Sequence, residues 1–207
     1  LAALIGCDLD NVIIELNASE LPIMDGSSKY FVEAIEKVGV VEQEAERKIF
    51  VVKDVISYLD EATGSEITVI PSDEYCVTAM VDFGTKVLGT QNATMKGIKE
   101  FKKEISNCRT FSFLHELESL LNNGLIKGGD LNNAIVYVDK EISAETMENL
   151  KTAFNKDTIS VKENGILDNL TLHYPNEAAR HKLLDIIGDL SLIGTRIQGK
   201  IIANKPG

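Results

Sequence analysis

The sequence predicts an α+β fold, and three observations carry that expectation. Strand-like runs come as neighbouring hairpins in the middle of the chain. Helical patterns gather after them. Strict strand–helix–strand alternation is missing, which favours a layered α+β domain over a doubly wound parallel sheet.

Taken in order, Leu1 to Ile5 reads as the tail of a helix ended by Gly6. VIIELN, from Val12, is apolar and rich in β-branched residues, so it reads as a short strand. Pro22 and the cluster Asp25-Gly26-Ser27-Ser28 form a turn, with Ser27 or Ser28 able to cap a helix from about Lys29 to Val38. Phe31, Ala34, Ile35 and Val38 are its expected buried stripe. Glu42 to Lys48 is a charged bridge and a candidate domain boundary. Ile49 to Leu59 and Ser65 to Pro71 read as strands around a hairpin at Ala62-Thr63-Gly64. Glu74 to Phe83 alternates as a third strand, and Gly84 to Thr94 is a polar loop or short strand. Ile98 to Cys108 has a helical inner face of Ile98, Phe101 and Ile105. A helix from Phe113 to Leu121 ends near Asn122-Asn123-Gly124, and Gly128-Gly129 bends the chain into a strand, Ala134 to Val138. Ser143 caps a helix to Ala153. Thr158 to Val161 and Leu170 to His173 read as short strands, and Lys200 to Ala203 as the last one.

Between these, Asn176 to Gly194 is the most informative stretch. Pro175 opens a helix there. Ala178, Leu183, Leu184, Ile186, Ile187 and Leu190 form its apolar face. His181 and Asp185 stand four residues apart and project from one side, with Asp189 a turn further on and Lys182 adjacent. An imidazole and a carboxylate at that spacing can grip one divalent metal. They also make an ordinary surface pair, and spacing alone leaves both readings open. His115, beside Glu116 on a predicted helix, reads as a surface residue; His173, in a strand before Pro175, is a weaker candidate for a third ligand.

Composition narrows the function. The 207 residues suffice for one large core or two small ones, and 44% hydrophobic with 26% charged residues suits a soluble globular protein. A net charge of −11 repels phosphate backbones, which disfavours nucleic acid as a partner. Lys99, Lys102 and Lys103 read as a solvated helix face. Cys7, Cys76 and Cys108 are odd in number and widely spaced, a reduced pattern in which each fills core. No apolar run approaches the ~18 residues of a transmembrane helix, and nothing resembles a secretory signal. A cytoplasmic location is the expectation. Both ends read as cut, so the chain is expected to be the middle of a longer protein.

Three stretches taken together, ELPIMDGSS at Glu20 to Ser28, RTFSF with NNGLIKGGDLNNAIV at Arg109 to Val136, and RHKLLDIIGDLSLIG at Arg180 to Gly194, resemble the UDP-3-O-acyl-N-acetylglucosamine deacetylases of lipid A biosynthesis. The resemblance runs over essentially the whole chain. It implies two-layer sheet/helix sandwich domains of α+β type with the active site between them. Residues 1–45 would be the C-terminal part of a first domain. Residues 46–207 would be the second, with a βαβ-type insert around 113–142.

The activity implied is zinc-dependent hydrolysis of the acetamide of UDP-3-O-acyl-N-acetylglucosamine, releasing acetate. His181 and Asp185 match the family's zinc ligands, although these ligand types suit iron as well. A third ligand, His, and a general base, Glu, are implied about two positions before Leu1, and a charged His just after Gly207. Their absence from these 207 residues implies that the chain as it stands is inactive. Thr110 would donate to the oxyanion, and Asp189 would hold the terminal His protonated. Phe111 and Lys182 would meet substrate. Leu117, Leu120, Ile126, Ala134 and Val136 match the passage for the acyl chain. Asp130 after Gly128-Gly129 and Ser112 depart from the family's usual Ser and Gly. Asp25 reads as structural. Some members carry a fused acyl-carrier-protein dehydratase domain downstream. The alternative is a non-catalytic acyl-chain or nucleotide-sugar binding module.

Overall fold

The computed structural model describes residues 1–117, 132–155, 157–168 and 170–207 and has an α+β architecture. Its main sheet is five-stranded. β2 (Ile56–Asp60) and β3 (Ser65–Ile70) form the expected hairpin, and β4 (Cys76–Asp82) pairs antiparallel with β5 (Thr90–Lys96). The final strand β9 (Lys200–Asn204) lies between the two hairpins, in the order β2-β3-β9-β4-β5. It runs antiparallel to β3 and parallel to β4, so the end of the chain stitches the sheet together.

Helix α5 (Glu177–Leu190) packs across β4 and β5. Ala178, Ala179, Leu183 and Ile187 are fully buried on its inner face, against Val77, Ala79, Met95 and Ile201 of the sheet. Short α1 (Ala2–Gly6) lies along α5, and α2 (Lys29–Val38) packs on α1. Leu1 and Ala2 pack beside Gly188, where a Cβ would make ordinary contact, 3.4 Å from the Ala2 nitrogen. The core therefore includes residues from both sides of the charged bridge at 42–48.

Two smaller parallel pairs complete the described structure. β1 (Ile49–Val51) pairs with β8 (Arg196–Gln198), and β6 (Phe111–Phe113) pairs with β7 (Ile135–Tyr137). A helix starts at 114, directly after β6. Beyond β7, α4 (Ala144–Phe154) begins at Ser143, whose hydroxyl accepts from the Thr146 N–H at 3.0 Å, as the sequence predicts. Leu150 of α4 joins Leu114, Val136 and Leu167 in a second small core.

Several expectations are corrected. Residues 12–17 form no strand: Ile13 is 87% exposed, and no described strand lies beside the segment to take its hydrogen bonds. The segment from 98 to 108 is a 3₁₀ turn, Ile98–Glu100, followed by the single α-turn α3 (Phe101–Glu104). Phe101 and Ile105 are nonetheless buried as the pattern requires. In α2 the buried residue is Val32, with Phe31 and Ile35 at its margin, while Val38 is 84% exposed. Ser28 stands at the N-cap without capping; its hydroxyl donates instead to the Ser106 carbonyl at 3.1 Å. Residues 158–161 and 170–173 are not strands, and only isolated bridges, such as Val161 to Leu167, form there. The expected helix end at 122–124 and the bend at 128–129 lie outside the described residues.

Candidate active site

The site is built where α5 meets the segment leading into β6. The helix fixes His181 and Asp185 on one stripe, and their side chains approach to 3.5 Å, His181 Nε2 to Asp185 Oδ1. His181 is buried, and its Nδ1 lies 2.9 Å from the Cys108 carbonyl oxygen. A carbonyl only accepts, so Nδ1 carries a proton and Nε2 is the nitrogen turned towards Asp185. Burial pushes the neighbouring Cys108 thiol up to about 12.

Lys182 links three groups. Its ammonium is 3.3 Å from Asp185 Oδ2, lies over the Phe111 ring at 5.9 Å from the centroid, and donates to the Gly207 carbonyl at 2.9 Å. The last residue of the chain therefore sits beside the site. At the other end of the chain, Leu1 and Ala2 lie against Gly188, one turn past Asp185. Asp189 is exposed on the same side of the helix.

Thr110 is half-buried and held by its backbone. Its N–H donates to the Gly26 carbonyl at 2.8 Å, and its carbonyl accepts from Ile135 at 2.9 Å. Gly26 has φ +81°, and a Cβ there would stand 1.9 Å from the Asn133 carbonyl oxygen. The MDGSS turn can press on β7 only because this residue is glycine. Asp25 shapes the turn, accepting from the Ser27 N–H at 3.1 Å and from its hydroxyl at 2.7 Å, which is the structural role expected of it.

A family profile, LpxC, described as UDP-3-O-acyl N-acetylglycosamine deacetylase, matches residues 1–151 and 145–207. The chain belongs to this deacetylase family. It is 42% identical over its whole length to a bifunctional enzyme LpxC/FabZ of Bacteroides thetaiotaomicron, and 41% to the protein of that name from Porphyromonas gingivalis, covering 45% of each. It is also 36% identical over its whole length to a UDP-3-O-acyl-N-acetylglucosamine deacetylase of Myxococcus xanthus, covering 58% of it. The chain thus spans about half the length of the curated relatives it matches.

The chain brings some of the expected residues together and separates others. His181, Asp185, Lys182 and Phe111 form one contiguous group. Phe111 is half-buried within an aromatic set with Phe83, Phe113 and Tyr137. Leu117 and Val136 meet in the second small core, and Ala134 is half-buried beside it in sequence. Leu120 and Ile126, like Asp130, lie outside the described residues. His115 is a partly exposed residue, paired with Asp139 at 2.7 Å and stacked on Phe113. His173 uses its backbone N–H, which donates to Glu177 at 2.6 Å, while the residue itself is exposed.

Two ligand atoms about 2.0–2.2 Å from one tetrahedral ion stand roughly 3.3–3.6 Å apart. The 3.5 Å between His181 Nε2 and Asp185 Oδ1 fits that spacing, and the carbonyl on Nδ1 is the usual outer partner of a ligating imidazole. Among the described residues no group of three or more His, Cys, Asp or Glu could hold a metal. Sequence reasoning missed Arg109 and Glu177, a buried ion pair directly behind this site.

Proposed function

We propose that this chain forms part of a zinc-dependent deacetylase that removes acetate from UDP-3-O-acyl-N-acetylglucosamine in lipid A synthesis. The observation that carries the reading is the imidazole of His181, fixed through Nδ1 with its free nitrogen beside Asp185. The family relationship supplies the substrate. His181 and Asp185 would hold zinc, which when bound polarises the acetamide carbonyl as a Lewis acid.

The chain's own residues have separate tasks. Thr110 donates its hydroxyl to the oxyanion, at a backbone locked on both sides. Lys182, set between Asp185 and Phe111, binds substrate oxygens, and the Phe111 ring packs on the sugar or the start of the acyl chain. Leu117, Leu120, Ile126, Ala134 and Val136 contribute to the acyl passage. Asp189 orients a histidine that follows Gly207 in the natural polypeptide. Support comes from the positions of Leu1 and Gly207, both of which meet α5 within a turn or so of Asp185. The third ligand and the general base before Leu1, and the histidine after Gly207, would enter the site at those two points. Residues 1–45 complete a first domain, and 46–207 form the second.

Among the described residues no helix is long and apolar enough to cross a membrane, which is compatible with a cytoplasmic enzyme. The bifunctional relatives, which the chain matches at 41–42% identity, support a fused dehydratase domain downstream in the natural polypeptide.

Zinc content tests the proposal. The natural polypeptide should hold about one zinc, lose it on His181→Ala, and hydrolyse the acetamide, while the 207-residue chain holds little. Zinc bound tightly by the short chain through His181 would mean a different third ligand. Absence of zinc and of hydrolysis from the natural polypeptide would overturn the reading and favour a binding module.

A further inference from the structure

Glu177, four residues before His181 on the same stripe of α5, is fully buried, and its carboxylate accepts four N–H groups. Oε1 takes the Arg109 backbone N–H at 3.1 Å and its Nε–H at 2.9 Å. Oε2 takes an Arg109 terminal N–H at 3.2 Å and the His173 backbone N–H at 2.6 Å. The same Arg109 terminal nitrogen also donates to the Thr171 carbonyl at 2.6 Å. None of this touches the group made by His181, Asp185, Lys182 and Phe111, so the pair is no ligand site.

Its place in the chain says what it does. Cys108, Arg109 and Thr110 are consecutive, and each is tied down separately. The Cys108 carbonyl holds the His181 ring, the Arg109 backbone and fork hold Glu177, and the Thr110 backbone holds Gly26 and Ile135. Two neighbouring residues of the segment leading into β6 thus clasp two residues one turn apart on α5. The clasp sets both the height and the rotation of the helix against Thr110. One hydrogen bond to His181 would leave the helix free to slide or roll about it; the second fastening removes that freedom.

We propose that Glu177 with Arg109 is a positioning pair that fixes His181 relative to Thr110, and so holds the metal-binding face in register with the oxyanion donor. The proposal rests on the deacetylase reading for the roles of Thr110 and His181. A carboxylate is required because all four partners are donors. In Glu177→Gln the amide nitrogen faces a donor whichever way it turns, so the shape is kept and the clasp is lost. The charge-assisted fork also needs arginine, since lysine offers one nitrogen where two are used.

The test combines Glu177→Gln and Thr110→Val, singly and together, in the natural full-length polypeptide loaded with zinc. Loss of one oxyanion donor costs on the order of 10²–10³-fold in kcat. We expect Glu177→Gln to lower kcat by about 10²-fold with KM changed less than about threefold and zinc still bound. We also expect Thr110→Val to cost less than about tenfold more in the Glu177→Gln background, because the hydroxyl is already out of place. A second readout does not depend on turnover. The His181 Nδ1–H, followed in histidine-labelled protein by NMR, should be a protected signal that is lost or exchange-broadened in Glu177→Gln. Full additivity of the two substitutions, with that signal unchanged, overturns the proposal and leaves Glu177 a purely stabilising residue. If Glu177→Gln fails to fold, Arg109→Lys gives the same two readouts with smaller expected shifts. No hydrolysis and no zinc in the unsubstituted protein would sink the deacetylase reading instead, while the Nδ1–H signal would still decide whether Glu177 positions His181.

Discussion

The two halves of α5 carry the same kinds of side chain and treat them oppositely. In the first half Glu177 and His181 are buried and tied to residues 108 and 109 by bonds of 2.9–3.2 Å. In the second half Asp185, partly exposed, reaches back to Lys182 at 3.3 Å, and Asp189 stands in solvent. Burial decides the difference. A buried charge must be fully paired or it costs several kcal/mol, so the first half is rigid by necessity. The exposed half gains about 0–1 kcal/mol from its pair and stays free to exchange partners. On the proposed reading, His181 would be the ligand held in place by the scaffold and Asp185 the one able to adjust to an incoming ion.

The largest expected effect comes from breaking the anchored half through its support. Gly26→Ala places a Cβ 1.9 Å from the Asn133 carbonyl oxygen at φ +81°, against backbone that cannot turn away. Chemical denaturation should show a loss of more than about 4 kcal/mol, or no folded protein. Arg109→Met comes next. It leaves Glu177 charged, buried and without its cation, and should cost about 3–5 kcal/mol by the same measurement. A loss under about 1 kcal/mol would mean that water reaches Glu177 and that the contrast between the halves is wrong.

An alkaline titration sharpens the comparison without touching the ion pair. Burial raises the Cys108 thiol from 9.0 to about 12. Between those values the unfolded chain has released the proton and the folded chain still holds it, so the unfolded state binds fewer protons and stability falls as pH rises. The contribution is complete below pH 9 and is lost as pH climbs towards 12, at no more than about 1.4 kcal/mol per pH unit. Tyr137, lifted from 10.0 to about 12 by burial, adds to the same slope at its upper end. Cys108→Ala should flatten the slope between pH 9 and 10, as read from urea midpoints.

Asp185→Asn should have the smallest effect on stability, within about 1 kcal/mol, because Asp185 is itself 36% exposed and Lys182 keeps its bond to the Gly207 carbonyl. Zinc uptake by the natural polypeptide should nevertheless fall by tenfold or more. Equal stability losses for Asp185→Asn and Arg109→Met would erase the distinction between the two halves of the helix.

Much of α5 was legible in advance because helical periodicity is local. The buried positions Ala178, Leu183 and Ile187, and the shared side of His181 and Asp185, follow from 3.6 residues per turn. The hairpin of β2 and β3, the β4 strand and the Ser143 cap were legible for the same reason. The segment at 12–17 misled because β-branched residues predict a strand only where a partner strand takes its hydrogen bonds. Conversely, Phe111–Phe113 and Arg196–Gln198 are strands of three residues that no alternation could reveal; each exists through a parallel partner 24 or 147 positions away.

Local spacing, then, determined by itself the α5 helix, its apolar face and the neighbouring imidazole and carboxylate, since those depend on bonds between residues a turn apart. Only the tertiary structure decided that Glu177, an ordinary first-turn acid by sequence, is a buried partner of Arg109, and that Cys108 selects the His181 tautomer. Those contacts join positions 68 and 73 residues apart. Taking the Arg109–Glu177 pair out of water is costly, and only the full set of partners brought together by the fold offsets that cost, which no local pattern records.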